Sequence, residues 1–218
     1  MTLLALLLYV GFAGVAFGWR TWLQWRRTGD TGLRLHAAPG TVQWWAKLGF
    51  VVAVAAGLAA PVAGLLGLDP VAPLDHGPVR VAGVALALAG IAATTAAQVQ
   101  MGASWRIGVD RDERTALVTD GVFGLVRNPI FSAMLVTAVG LTLMVGNVVS
   151  LVGLAALVAA LEVQVRSVEE PYLLAVHAER YARYAARVGR FVPGLGRLRA
   201  SARPSAATPG PGPAASSP

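Results

Sequence analysis

The stretch RNPIFSAMLVTAVGLTLMVGNVVSLVGLAALVAALE, Arg127–Glu162, decides the fold, because no charged residue occurs between its two ends. As one helix, the uncharged interval would measure about 50 Å at about 1.5 Å per residue. The hydrocarbon core of a membrane is only about 30 Å thick. Val145-Gly146-Asn147, near the middle, is compatible with a turn. The stretch therefore predicts a hairpin of two short membrane helices, roughly Pro129–Val145 and Val148–Val165.

The composition of the whole chain agrees with a membrane protein. Of its 218 residues, 56% are hydrophobic and 13% are charged, whereas soluble domains carry about 25% charged residues. The absence of cysteine excludes disulfides, thiolate metal sites and cysteine nucleophiles. Three more uncharged intervals are each long enough for one crossing. We therefore predict an all-α, polytopic integral membrane protein with about five transmembrane helices, of which the first three, at about 2–19, 47–68 and 80–100, occupy residues 1–101.

The basic residues predict the orientation of the chain. The net charge is +7, and nearly every lysine and arginine lies in residues 20–47, in residues 106–127 or after the hairpin; Arg80 is the exception. Five spans and the positive-inside rule place the N-terminus outside and the C-terminus in the cytosol. The positive charge then reflects topology, so we expect the lipid bilayer and not nucleic acid as partner. The Ala/Val/Gly/Arg usage indicates a bacterial cytoplasmic (inner) membrane.

The C-terminal part after the hairpin predicts one further helix. In residues 168–188, apolar and aromatic residues recur at steps of three and four, and arginines occupy the other face. We predict a cytosolic amphipathic helix here. Residues 102–127 form a loop-like connector, and residues 200–218, rich in Pro, Ala, Ser and Gly, are expected to be disordered.

Charged and polar residues gather where the hairpin begins and ends. Arg127-Asn128-Pro129 suits a helix start, with Asn as N-cap and Pro in the first turn. Arg166 and Glu170 are four residues apart and share a helix face if the helix continues. They form either a surface ion pair or, together with Arg127, a site for a zwitterionic ligand. The residues alone leave both interpretations open.

Two blocks of sequence resemble a known family. LVTDGVFGLVRNPIF (117–131), followed by VRSVEEPYLLAVHAERYARYAARVGRFVP (165–193), is similar to the isoprenylcysteine carboxyl methyltransferase family and, more broadly, to membrane methyltransferases that include phospholipid methyltransferases. The likeness covers about Gly102–Arg197. The first family pattern is Arg-His-Pro-x-Tyr-x-Gly, and this chain has Asn128 at its histidine, Phe131 at its tyrosine and Ala133 at its glycine. The second pattern is Gly-x-x-Tyr-x-x-Tyr, and this chain has Ala178 at its glycine.

The resemblance implies a function for residues 102–199. It implies an S-adenosylmethionine-dependent methyltransferase that acts at the cytosolic membrane face on a lipophilic acceptor, which is carboxylate- or lipid-like and is either a small molecule or a lipidated substrate. The catalytic residues implied are Arg166, which would face the acceptor, Glu170 and Arg127. The cofactor-binding residues implied are Thr115, Ala116, Leu117, Val118, Phe123, Asn128, Pro129, Ile130, Phe131, Glu170, His177 and Tyr181. No metal is expected.

Two alternatives remain open at this point. Membrane sterol reductases, which use NADPH, resemble the same region, and a non-catalytic membrane scaffold is the third interpretation. The sequence does not indicate the oligomeric state, because small-residue faces are common in membrane helices.

Overall fold

The computed structural model describes residues 1–34, 36–102, 105 and 117–198, and these residues form a bundle of helices without a β-strand. The helices are α1 (Thr2–Ala13), α2 (Arg20–Thr28), α3 (Val42–Leu65), α4 (Gly77–Met101), α5 (Pro129–Val145), α6 (Val148–Gln164) and α7 (Glu170–Arg187). Two π-helical turns, Gly14–Trp19 and Val165–Glu169, join α1 to α2 and α6 to α7. The predicted all-α, polytopic membrane architecture is confirmed.

Within the described residues, four helices are long and apolar enough to cross a membrane: Thr2–Thr28, Val42–Leu65, Gly77–Met101 and Val148–Arg187. Pro129–Val145 is a shorter apolar helix of 17 residues. The first helix was expected to end near residue 19. Instead the π-helical turn carries it onward to Thr28, where Gly29 in the left-handed conformation (φ 73°) stops it. Residue 19 marks a change of helix type and not an end.

The turn between α5 and α6 is tied to its surroundings. Asn147 is fully buried; its side-chain oxygen accepts a hydrogen bond from Ser150 N at 3.0 Å, and its Nδ2 donates to Ala60 O of α3 at 2.8 Å. Val71 N donates to Gly146 O at 2.8 Å. The turn is therefore held by α3 and by the loop before α4, and the last residue of α5 and the first residue of α6 lie at the same level of the bundle.

Small residues let α4 and α5 approach closely. A Cβ atom added to Gly140 would lie 2.3 Å from Ala87 N, and one added to Gly90 would lie 2.4 Å from Thr137 Oγ1. Contacts this short leave no room for a side chain, as is usual where membrane helices pack through glycine. α3 packs along α6 in the same bundle, and α1 lies against α3 and α5.

Candidate functional site

A cavity of about 880 Å³ opens at the end of the bundle that carries α2 and α7, which we name the basic end. Its size suits a cofactor or another small-molecule ligand. The wall is contributed by α2 to α7, by the two π-helical turns and by the segments that connect the helices: Phe17, Gly18, Thr21, Trp22, Trp25, Thr31, Leu33, Ala46, Lys47, Phe50, Val51, Gln98, Met101, Trp105, Leu117, Val118, Phe123, Arg127, Asn128, Pro129, Ile130, Phe131, Met134, Ala160, Leu161, Gln164, Glu169, Tyr172 and Leu173. We call it the main cavity.

The structure brings most of the predicted cofactor-binding residues of the first sequence block to the main cavity. Leu117, Val118, Phe123 and residues 128–131 all line it, together with Arg127. They are assembled because the short 3₁₀ helix Gly121–Gly124 leads the connector directly into the start of α5. Thr115 and Ala116 lie outside the described residues.

Arg166, the predicted acceptor-side residue, lies elsewhere. Its side chain is 59% exposed and forms an ion pair with Glu162, one turn earlier on the same helix. Arg166 does not line the main cavity. Arg166 thus forms a surface ion pair, but with Glu162 and not with Glu170, the partner considered from the sequence.

Glu170 and Arg127 do meet, but a second arginine joins them. Arg127 Nη2 donates to Glu170 Oε1 at 2.5 Å, Arg190 Nε donates to the same oxygen at 2.8 Å, and Arg190 Nη2 donates to Oε2 at 2.9 Å. The ion pair with Glu170 raises the pKa of Arg190 above its ordinary value. All three residues are buried. Both carboxylate oxygens of Glu170 are thus occupied by guanidinium groups, and Glu170 lies behind the cavity wall.

This buried ion triad fastens the end of the described chain to α5. Residues 188–198, which we name the C-terminal clamp, run beside the start of that helix. Arg127 N donates to Gly189 O at 2.8 Å, Asn128 N donates to Arg190 O at 3.1 Å, and Ser132 Oγ donates to Phe191 O at 2.7 Å. The clamp fixes the position of Asn128, and with it the part of the cavity wall that α5 supplies. Sequence reasoning missed Arg190, because it follows the amphipathic helix in an irregular segment.

Tyr181 and His177, also predicted to bind the cofactor, stand outside the cavity lining. The ring of Tyr181 is buried and packs edge-on against Tyr184, whose hydroxyl donates to Phe123 O at 2.6 Å. The two tyrosines therefore support the wall from behind. Ala178 interrupts α7 with φ 41° and ψ −122°, so the continuous apolar face predicted for this helix is broken there.

Polar groups that sequence reasoning did not place at the site also face the main cavity. Glu169 lines the wall, and its Oε1 accepts from Gln164 Nε2 at 3.2 Å. Gln164 Oε1 is buried and has no hydrogen-bond partner within the described part of the chain. Lys47 Nζ donates to Arg34 O at 2.6 Å and to His36 O at 2.8 Å. Gln164 and Lys47 could not be assigned to the site from the local sequence, because each is a single polar residue at the edge of an apolar run.

Arg20 holds one aromatic part of the wall. It is almost fully buried, donates to Gln24 Oε1 at 3.1 Å and to Gly102 O at 2.5 Å, and lies over the ring of Trp105 at 4.6 Å. A cation over an aromatic face is a favourable contact. Trp105 is thereby fixed at the cavity.

Comparison with known proteins relates this region to membrane methyltransferases. Residues 79–180 match the family model described as phospholipid methyltransferase. Protein-S-isoprenylcysteine O-methyltransferase B of Arabidopsis thaliana is 34% identical over 87 residues, which are 40% of this chain and 44% of that relative. The match thus spans less than half of the length of the curated relative. The two matches confirm the family resemblance seen in the sequence. The family model, over residues 79–180, extends the resemblance to α4, while α1 to α3 and the C-terminal clamp lie outside its range.

Proposed function

We propose that this chain transfers a methyl group from S-adenosylmethionine to a lipophilic acceptor, because residues 79–180 match the family model described as phospholipid methyltransferase. The observation that carries the proposal is the main cavity, whose wall includes these residues of the matched region: Leu117, Val118, Phe123, Arg127, Asn128, Pro129, Ile130, Phe131, Gln164, Glu169, Tyr172 and Leu173. The reaction would take place where the membrane helices end, so that a polar cofactor and an apolar acceptor can meet. Given the distribution of arginine and lysine, we assign the basic end to the cytosolic face of a bacterial cytoplasmic membrane.

The residues of the wall fit S-adenosylmethionine. Its ammonium group requires acceptors, and Glu169 and the unpartnered oxygen of Gln164 supply them. Phe123 and Phe131 offer ring surfaces to the adenine. We assign the ammonium to Glu169 in place of Glu170, because Arg127 and Arg190 already occupy both oxygens of Glu170. When bound, the cofactor supplies an electrophilic methyl group.

The protein's own part in such a transfer is alignment and the exclusion of water. The apolar side chains of Phe50, Ile130 and Met134 in the cavity wall keep water from the acceptor. An acceptor with a carboxylate needs no general base. An amine or phenol needs one, and Glu169, the carboxylate that lines the cavity in the described part of the chain, is already assigned to the ammonium group of the cofactor.

Direct ligand binding tests the proposal. Purified protein in detergent is incubated with radiolabelled S-adenosylmethionine and, separately, with NADPH, and bound ligand is measured by equilibrium dialysis. We expect saturable binding of S-adenosylmethionine and none of NADPH. Saturable binding of NADPH alone would overturn the proposal in favour of a membrane reductase, and binding of neither would favour a scaffold.

A further inference from the structure

A second, smaller cavity of about 70 Å³ lies deeper in the bundle than the main cavity. We name it the inner cavity. Its lining comes from α1, the π-helical turn after α1, α3, α5 and α6: Ala5, Tyr9, Phe12, Ala13, Phe17, Ala53, Val54, Gly57, Ala60, Pro61, Met134, Thr137, Ala138, Leu141, Thr142, Val145, Ser150, Gly153, Leu154 and Leu157.

The two cavities follow one another along the same helices. On α3 the lining passes from Phe50 at the main cavity to Ala53 and Gly57 at the inner one, and on α6 it passes from Leu161 to Leu157. Phe17 and Met134 line both cavities. The cavities are therefore stacked along the axis of the bundle and meet between these two side chains.

The inner cavity offers hydrocarbon a dry, apolar environment. The residues that line it include no charged side chain. Its hydroxyl groups are satisfied by the protein itself: Tyr9 donates to Val54 O at 2.5 Å, Thr137 to Ala133 O at 3.0 Å and Ser150 to Asn147 O at 2.7 Å. Cavities lined in this way stay free of water and bind apolar ligands.

The junction between the cavities is built from side chains of adjustable position. Phe17 lies in the first π-helical turn and contacts Phe12 and Phe50 edge-on, with ring centroids 6.2 Å and 6.3 Å apart. Met134 packs in the same cluster, and methionine adapts its shape readily because it is unbranched. π-helical turns often occur at functional sites, and this turn carries Phe17, which lines both cavities.

We propose that the two cavities form one tunnel for the hydrocarbon chain of the acceptor, with the end of the chain in the inner cavity and Phe17 and Met134 as the constriction that it must pass. This proposal rests on the proposed function. It adds that the protein recognises the acceptor by the length of its hydrocarbon chain. The inner cavity has room for roughly five to seven water-sized groups, at about 10–15 Å³ each. The walls of the inner cavity therefore set an upper limit on the length of the hydrocarbon chain that fits. Much of this wall comes from α1 and α3, outside the range that matches the family.

Methyl transfer to straight-chain acceptors tests the limit. Carboxylic acids and primary amines from octyl to hexadecyl are supplied with radiolabelled S-adenosylmethionine, and the initial rates are compared. Gly57→Leu fills the inner cavity, since a Cβ atom at Gly57 already lies 2.7 Å from the Tyr9 ring. We expect this variant to accept only shorter chains, with a loss of about fourfold in rate per excluded methylene.

Leu141→Ala enlarges the inner cavity and is expected to shift the limit to longer chains. Val52→Leu, on the exposed face of α3, serves as the control and should change nothing.

Photo-crosslinking separates failure of the tunnel from failure of the proposed function. A fatty acid with a diazirine at its terminal carbon is irradiated with the protein, and the labelled residues are mapped by mass spectrometry. We expect labels at inner-cavity residues such as Tyr9 and Leu141, and their loss in Gly57→Leu. Labelling there without methylation of any acceptor would leave the tunnel and overturn the proposed function. Labels only on lipid-facing residues such as Val52, or a chain-length limit that neither variant moves, would overturn the tunnel even if methylation is observed.

Discussion

Glu169 and Glu170 are neighbours in the chain but face opposite environments. Glu169 lines the main cavity beside Gln164, whereas Glu170 lies behind the wall and accepts hydrogen bonds from Arg127 and Arg190. The π-helical turn Val165–Glu169 ends between them, so one carboxylate belongs to the last wider turn and the other to the first turn of α7. We therefore assign Glu169 to ligand binding and Glu170 to the stability of the fold, and one substitution tests each assignment.

Glu169→Gln is expected to weaken cofactor binding without unfolding the protein. The change removes the negative charge that we assign to the ammonium of S-adenosylmethionine while it keeps the size of the side chain. A hydrogen bond to a charged group contributes about 1.5–3 kcal/mol, so we expect a loss of about 10- to 100-fold in affinity, measured by equilibrium dialysis. Glu162→Gln, which removes only the surface partner of Arg166, is the matched control. Equal affinity in Glu169→Gln and the wild type would contradict the assignment.

Glu170→Gln is expected to destabilise the protein. Loss of the charge leaves the guanidinium groups of Arg127 and Arg190 buried without a counter-charge, and breaking a buried ion pair costs about 3–5 kcal/mol. We expect a lower Tm in detergent, together with easier proteolysis of the C-terminal clamp, whose backbone these arginines hold. An unchanged Tm together with lost cofactor binding would return Glu170 to the ligand role that the family resemblance implies.

Arg166→Ala should leave both stability and cofactor binding close to those of the wild type. Its ion pair with Glu162 is exposed, and such pairs contribute about 0–1 kcal/mol. The measurements are Tm, the affinity for S-adenosylmethionine and the KM for the acceptor. A raised KM with unchanged cofactor affinity would show that Arg166 turns toward the acceptor during turnover, as the resemblance implies.

The helical architecture was predictable because its signals are local. Uncharged intervals, the break at Gly146-Asn147 and the amphipathic period after Glu169 are each contained in one stretch of sequence. The first part of the candidate site, residues 117–131, is also continuous in the chain and was expected from the resemblance.

The remaining features of the site depend on contacts between distant residues. Arg190 reaches Glu170 across 20 positions of the chain, and Arg20 reaches Gly102 across 82. Neither pair has a spacing that a helix or a strand would produce. The two π-helical turns likewise carry no sequence signal of the kind that a proline or a glycine cap gives, although the second of them separates Glu169, which faces the cavity, from Glu170, which does not.

Ala178→Gly is expected to stabilise the protein. Ala178 has φ 41° and ψ −122°, a conformation that costs a residue with a side chain about 1–3 kcal/mol and that glycine adopts freely. Glycine loses more conformational entropy on folding, which costs about 0.5–1 kcal/mol. We therefore expect the free energy of unfolding to rise by about 1 kcal/mol and the Tm to be higher. Ala182→Gly, in the regular part of α7, should lower the Tm, and the same effect for both substitutions would contradict a kink at Ala178.

Gly140→Ala is expected to separate α4 from α5 and to disturb the site at a distance. The added Cβ atom would lie 2.3 Å from Ala87 N and 2.6 Å from Gly83 O, both of them backbone atoms that cannot turn away. Overpacking of this kind costs about 1–3 kcal/mol, and because α5 carries Asn128–Phe131 into the main cavity, cofactor affinity should fall together with the Tm. Gly11→Ala is the matched control, since a Cβ atom there meets nothing within 4 Å and alanine favours a helix. If Gly140→Ala were as stable as Gly11→Ala, α4 and α5 would not be packed as closely as the structure shows.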